Sequence, residues 1–336
     1  MRHFIIVGIL VIVAAVGIYL GLDALHLMPV EASAQAVPID WLWNWQVIAM
    51  SFLFSLIVVP LVYSLVIFRR KKGDTSDAEH IEGHTKLEIA WTIAPLFIVM
   101  AFAYMGSYSL AEVRRVDPQA MVVKVHARQF SWSFEYPEYG GFVSNELHLP
   151  VGRQVLLQMD STDVIHSFWV PEFRVKQDVV PGRVTELRVT PTLPGNYKVR
   201  CAELCGAAHY NMEGKVAVSD EATFQQWAAE QQAAFAAAQT PEGKGEILAK
   251  TNCAACHSFT TAANPNGPSW FGLYGSTVTL VDGSTVAADD AFLRESIVDP
   301  YAKTVQGYGQ TMPATFGTVL SEDDIANILA FIKTLK

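Results

Sequence analysis

Hydrophobic and polar positions divide the chain into three regimes. Residues 4–22, 41–68 and 89–110 contain no Asp, Glu, Lys or Arg, and each is long enough to cross roughly 30 Å of hydrocarbon as a helix. No later stretch approaches them. From Met121 the period becomes two. Val123 and Val125 alternate with polar neighbours, and in Phe130-Ser131-Trp132-Ser133-Phe134 aromatics alternate with serines, as in half-buried strands. Further short strands are expected at 147–149, 155–159, 186–190, 197–200 and 215–218, divided by Pro-Gly, Val-Gly and Leu-Pro-Gly turns. That spacing predicts an antiparallel all-β sandwich of about 100 residues. An Ala/Gln-rich stretch at 221–240 follows, with a modest helical stripe of Phe224, Trp227, Ala228 and Phe235 before Pro241. The third regime ends in a helix that starts at Ser321, with Asp324 as capping-box partner and Ile325, Ile328, Leu329 and Ile332 on one face. It should pack beside a first helix near residues 245–249.

Composition supports a membrane protein of several units: 336 residues, 51% hydrophobic and only 17% charged. The loop between the second and third runs carries Arg69, Arg70, Lys71, Lys72 and Lys86, whereas residues 23–40 hold no Lys or Arg. The loop is therefore cytoplasmic, against the weaker opposing signal of Arg114 and Arg115, and everything from about residue 111 faces outward. The first run has two readings. Arg2, the apolar stretch and Ala32-Ser33-Ala34 suit a signal peptide cleaved after Ala34, and they suit equally a retained span. The net charge of −9 has no basic concentration, so no nucleic-acid partner is expected.

Within the β region, chemistry gathers at His166-Ser167-Phe168-Trp169-Val170-Pro171 and in the stretch from Cys201 to Met212, which holds Glu203, Cys205 and His209. Thiolates, imidazoles and a thioether are copper ligands. A mononuclear site uses one cysteine, so the second is surplus, and two cysteines four apart suit bridging of two copper ions with one histidine for each. A Cys201–Cys205 disulfide or a structural zinc site are the alternatives, and neither accounts for His166 and Met212. In the last third, Cys253-Ala254-Ala255-Cys256-His257 is the attachment motif of a c-type haem, in which two thiols bond the vinyl groups and the histidine ligates iron. Past Met212 the only methionine is Met312, in Thr311-Met312-Pro313-Ala314, which makes it the sixth iron ligand by counting.

These motifs, over residues 41–218, resemble subunit II of the haem–copper cytochrome c oxidases, and residues 242–336, with Asn266-Gly267-Pro268, are similar to class I cytochrome c. Together they resemble the caa-type subunit. The resemblance implies a multidomain membrane protein. Residues 1–34 are a signal peptide or first transmembrane helix, and 41–110 a transmembrane helical hairpin. Residues 111–220 become a cupredoxin-like CuA domain, 221–241 a helical linker, and 242–336 an all-α cytochrome c domain. It implies that Cys201 and Cys205 bridge two coppers. His166 and Met212 complete one ion, and His209 with the backbone carbonyl of Glu203 completes the other. It further implies a magnesium ion on the Glu203 side chain at the boundary with the catalytic subunit. Glu88, in Glu88-Ile89-Ala90-Trp91-Thr92-Ile93-Ala94-Pro95, would lie at a proton-uptake entrance; from the sequence alone it reads equally as a helix-flanking charge. One residue departs from the family: Phe130 aligns with a tryptophan through which electrons from soluble cytochrome c enter, which argues against direct input at the copper domain.

None of the three apolar runs contains a histidine, so none can hold a membrane haem. The implied function is electron input, from an external donor such as cytochrome c through haem c and CuA, to a subunit I that reduces oxygen and pumps protons. Other oxidase subunits and the lipid membrane are the remaining partners. The alternatives are the electron-input subunit of a CuA-type nitric oxide reductase and a membrane-anchored electron carrier.

Overall fold

The computed structural model describes residues 1–77 and 80–336. The chain divides within one helix into two compact units, residues 1–226 and 227–336.

The first unit begins with helices α1 (Arg2–Ala24), α2 (Ala36–Ile67) and α3 (Thr85–Val113), all long and apolar enough to cross a membrane. α1 and α2 run antiparallel: His3 Nδ1 lies 2.7 Å from the Tyr63 hydroxyl, and the Tyr19 hydroxyl donates to Asn44 Oδ1 at 3.0 Å. Ser109 in α3 donates to the Pro38 carbonyl at 3.1 Å. The exposed apolar surface of all three helices is what a lipid-facing span requires.

The β domain holds β1 (Met121–Arg128), β2 (Ser131–Tyr136), β3 (Phe142–Ser144), β4 (Leu147–Pro150), β5 (Val155–Ser161), β6 (His166–Trp169), β7 (Lys176–Val179), β8 (Thr185–Val189), β9 (Gly195–Cys201) and β10 (Glu213–Ser219). They form two five-stranded sheets, ordered β3-β2-β1-β5-β8 and β4-β10-β9-β6-β7. The expected alternation holds. Met121, Val123, Val125 and Ala127 face inward from β1, Trp132, Phe134 and Tyr136 from β2, and Tyr197, Val199 and Cys201 from β9. The expectation of a wholly antiparallel sandwich is corrected: β1 pairs β5 in parallel and β10 pairs β4 in parallel. Each parallel pair joins strands distant in sequence, so no tight turn constrains its direction. Strands β3, β6 and β7 were not expected. β6 is buried at three of its four positions and β7 is mostly polar, so neither shows a period of two.

Residues 25–40 are fastened to this domain. Ala32 N–H donates to the Glu172 carbonyl and Ala34 N–H to that of Thr190, Thr192 N–H donates to the Ala32 carbonyl, and Ser33 Oγ donates to that of Phe173. Ala32 and Ser33 are fully buried.

Helix α4 (Glu221–Gln239) starts at Asp220, whose carboxylate accepts the Thr223 N–H. The second unit contains α5 (Pro241–Asn252), a small hairpin of β11 (Thr277–Thr279) and β12 (Thr285–Ala287), then α6 (Asp290–Val298), α7 (Phe316–Val319) and α8 (Glu322–Thr334). The hairpin is an addition to the helical domain expected. Ser321 and Asp324 form a reciprocal capping box at α8. Ile325, Ile328, Leu329 and Ile332 are buried against α5, where the helices approach so closely that a Cβ on Gly245 would clash with the Asn327 carbonyl oxygen.

Candidate metal centres

Cys201 ends β9, facing inward by the same alternation as Tyr197 and Val199. His166 opens neighbouring β6, and Met212 immediately precedes β10. Because Cys201 N–H donates to the Met212 carbonyl at 3.1 Å, the loop between β9 and β10 is held shut at its base. The six expected donors, His166 from β6 and the rest from this loop and its ends, converge. Sγ of Cys201 lies 3.7 Å from Sγ of Cys205, 3.8 Å from His166 Nδ1 and 3.1 Å from the Glu203 carbonyl oxygen. Sγ of Cys205 lies 3.5 Å from His209 Nδ1 and 3.7 Å from Met212 Sδ. The sulfur–sulfur separation rules out a disulfide, whose bond is about 2.05 Å long. His166, Cys201, Cys205 and Met212 are buried, and ligand atoms of the first three lie within 4.8 Å of one another. Soft donors collected out of water, with both thiols free, fit copper.

Burial, and then the neighbouring Cys201, push the Cys205 thiol up to about 11, so a metal must displace the proton to bind. Two supports went unnoticed in the sequence. Asp163 Oδ1 is 2.9 Å from His166 Nε2, which leaves Nδ1 toward the sulfurs. Burial opposes ionisation of Asp163, but the Gln129 N–H, the His166 ring and the Val164 N–H together hold its carboxyl at about 2. Gln129 also donates from Nε2 to the Cys205 carbonyl at 2.5 Å. Beside it Gly206 has φ +132°, and a Cβ there would meet Gln129 Nε2 at 2.7 Å and the Phe130 ring at 3.2 Å, so Phe130 packs against the metal loop. The only sequence signal for Asp163 is its place three residues before His166 in a turn.

In the second unit, Cys253, Cys256, His257 and Met312 line one cavity of about 330 Å³, walled by Trp270, Phe292, Leu293 and Ile297. His257 Nδ1 is 2.8 Å from the Pro268 carbonyl oxygen, which fixes the tautomer that leaves Nε2 as the ligating atom. Burial lowers the His257 pKa, against the pull of that carbonyl, and so favours the neutral imidazole iron needs. A Cβ on Gly267 would crowd the His257 ring and the Cys256 carbonyl, so the glycine is required by close approach. An apolar slot with two thiols and two axial donors fits a covalently held haem.

Glu88 sits in the first turn of α3, exposed, with Oε1 accepting the His84 N–H at 3.1 Å while His84 Nδ1 accepts the Leu87 N–H. The structure thus gives it a helix-capping role. Glu203, Leu204 and Tyr210 are exposed on the metal loop.

Three helices long and apolar enough to cross a membrane, a β sandwich whose clustered soft donors fit copper, and a helical unit whose cavity fits a covalent haem are together the features of a membrane-anchored electron-transfer protein. The family descriptions "Cytochrome C oxidase subunit II, transmembrane domain", "Cytochrome C oxidase subunit II, periplasmic domain" and "Cytochrome c" match residues 20–110, 142–219 and 243–336. The cytochrome c oxidase subunit 2 of Synechocystis sp. is 35% identical over 268 residues, 65% of this chain and 80% of that one. That of Alkalihalophilus pseudofirmus is 29% identical over 305 residues, 85% and 86% of the two chains. Among solved structures, the periplasmic domain of subunit II of cytochrome oxidase from Bradyrhizobium japonicum is 30% identical. It covers 37% of this chain and 99% of that one with a TM-score of 0.34. The chain belongs to the cytochrome c oxidase subunit II family, in the caa-type form with a fused C-terminal cytochrome c. It is a membrane protein whose C-terminal domains are extracellular.

Proposed function

We propose that this chain takes electrons from an external donor at its cytochrome c domain and delivers them from its metal loop to subunit I of a bacterial plasma-membrane oxidase. The convergence of four further donor atoms on two unbridged thiols carries the reading. Cys201 and Cys205 would bridge two coppers, with His166 and Met212 completing one and His209 with the Glu203 carbonyl completing the other. Such a pair shares one electron over two metals. The chain's own part is to keep water out, since His166, Cys201, Cys205 and Met212 are buried, and to hold the His166 imidazole through Asp163 so that little moves there as charge changes. Cys253 and Cys256 would anchor a haem c that His257 and Met312 ligate, the methionine raising its potential.

Exposed Leu204 and Tyr210 on the loop are suited to burial against subunit I, and the exposed Glu203 carboxylate to a magnesium ion at that boundary. Other oxidase subunits and lipid would cover the spans. The cap formed by Glu88 uses Oε1, so Oε2 remains for a proton-uptake role.

The test is metal analysis and rapid reduction of the purified complex. Two coppers and one covalent haem per chain, with haem c reduced before copper and oxygen consumed, are expected. Zinc in place of copper would overturn the site, and turnover of nitric oxide but not oxygen would overturn the oxidase assignment.

A further inference from the structure

The acidic balance of the haem unit suggests selection of a basic donor, and the structure points elsewhere. Residues 242–336 hold ten acidic and six basic side chains, yet 253–281 and 304–320 contain none of either kind. These two segments supply most of the residues that line the haem cavity. Asn264 Nδ2 donates to the Ala255 carbonyl at 3.4 Å, and Thr311 Oγ1 donates to the Asn266 carbonyl at 3.2 Å. The attachment loop, the loop after it and the Met312 loop are thereby stitched into one surface. Ala254, Ala263, Asn266, Gln310, Pro313 and Ala314 are exposed on it. Of the cavity-lining residues only Lys303 is charged, and Glu295 Oε2 neutralises it at 2.6 Å. The remaining charges lie along α5, where Glu246 pairs with Lys250 of the last turn at 2.6 Å, on the hairpin turn, on α6 and its two caps, and on α8 and the Lys336 that follows it. Several cancel in pairs, such as Arg294 with Glu322 and Lys333 with Asp290.

Charges steer association when they ring the contact, and beyond about 8 Å physiological salt screens them. We propose that this uncharged rim of small apolar and amide side chains is the donor-docking surface. Its partner is a redox protein whose own exposed redox edge is uncharged, bound by burial of apolar area and not by ion pairing. The inference rests on the electron-input reading above and names its partner class.

Donors of matched potential with basic, acidic and neutral faces, together with redox-inert zinc-substituted forms, are titrated against the full complex between 20 and 200 mM salt, about the range over which electrostatic steering changes strongly. For the neutral-faced donor, the second-order rate of haem c reduction and the Kd of its zinc form should each change by less than about twofold. This donor should also be the fastest at 200 mM salt. Gln310→Lys should create a salt dependence of opposite sign for acidic and basic donors, while Asp323→Asn on α8 should create none. A fall of about tenfold or more with a wild-type basic donor, abolished by Asp323→Asn, would overturn the proposal and place docking on the acidic helix. Haem-to-copper transfer is triggered separately with a small neutral photoreductant. Loss of that step counts against the electron-input reading, whereas the salt slope counts against the docking surface.

Discussion

Asp163 Oδ1 lies 2.9 Å from Nε2 of His166, and the same carboxylate accepts the N–H groups of Gln129 and Val164. The backbone locks the acid, and the acid locks the imidazole. Outer partners of this kind are worth about 10–100-fold in metal affinity. Asp163→Asn is expected to weaken copper retention within that range and to shift the copper absorption bands and potential, with haem c unchanged. Copper content after graded chelation, followed by the visible spectrum, checks it. Unaltered bands and retention would show that the ring is held by packing alone.

Tyr136 gives the β domain an alkaline limit. Its ring is fully buried against Phe142, and its hydroxyl accepts the His148 N–H at 2.7 Å and donates to the His148 carbonyl at 3.1 Å. Burial raises the phenol well above the ordinary tyrosine value, with the His148 backbone bond pulling weakly the other way. A raised folded-state pKa gives stability that is complete below the unfolded value near 10 and declines as pH climbs past it, by about 1.4 kcal/mol per unit. Unfolding midpoints followed by copper absorbance should therefore drop above pH 10. Tyr136→Phe should flatten that drop while costing about 1–3 kcal/mol at pH 7 through the lost bonds to His148.

The residues that cluster at the two candidate centres were legible because their chemistry is confined to rare residue types: four cysteines in two close pairs, one methionine past residue 212 and one histidine past 209. The spans and the β1 and β9 alternations were legible because lipid and a one-sided core impose strict patterns. What escaped was set by contacts distant in sequence. β6 pairs with β9 across a gap of more than thirty residues, and β1 with β5 in parallel, so neither has a turn to announce it. Asp163 and Gln129 are ordinary polar residues until the fold brings them to His166 and Cys205.

The two proposed redox centres lie in separate units, and they should fail separately. On the proposed ligation, Met312→Leu would leave Cys253 and Cys256, which line the same cavity, to hold the haem covalently but would remove a ligand that raises its potential. Haem should stay attached with a lowered potential and slowed onward transfer, read by redox titration, and the copper signal should be intact. Cys205→Ser should abolish the copper signal and spare the haem spectrum. Loss of haem from the copper variant would contradict independent folding of the two sites.

Arg174 decides how the N-terminal segment is held. Its guanidinium, 5% exposed, makes a two-pronged ion pair with Asp40 at 2.8 and 3.0 Å and also reaches the carbonyls of Pro29 and Val30. Four more hydrogen bonds tie residues 32–34 to the β domain, each worth about 1 kcal/mol net. Cleavage after Ala34 would sever residues 32–34 from the chain and expose the buried positions they cover. α1 is also joined to α2 at both of its ends. The mature subunit is accordingly expected to keep residues 1–34 as a third span, which intact-mass measurement of the purified subunit decides; a mass lacking those residues would refute it. Removing one partner of a buried ion pair costs about 3–5 kcal/mol. Arg174→Ala should therefore lower the thermal midpoint and make the 25–40 segment sensitive to protease, whereas Arg153→Ala, at an exposed ion pair with Glu138, should leave both nearly unchanged.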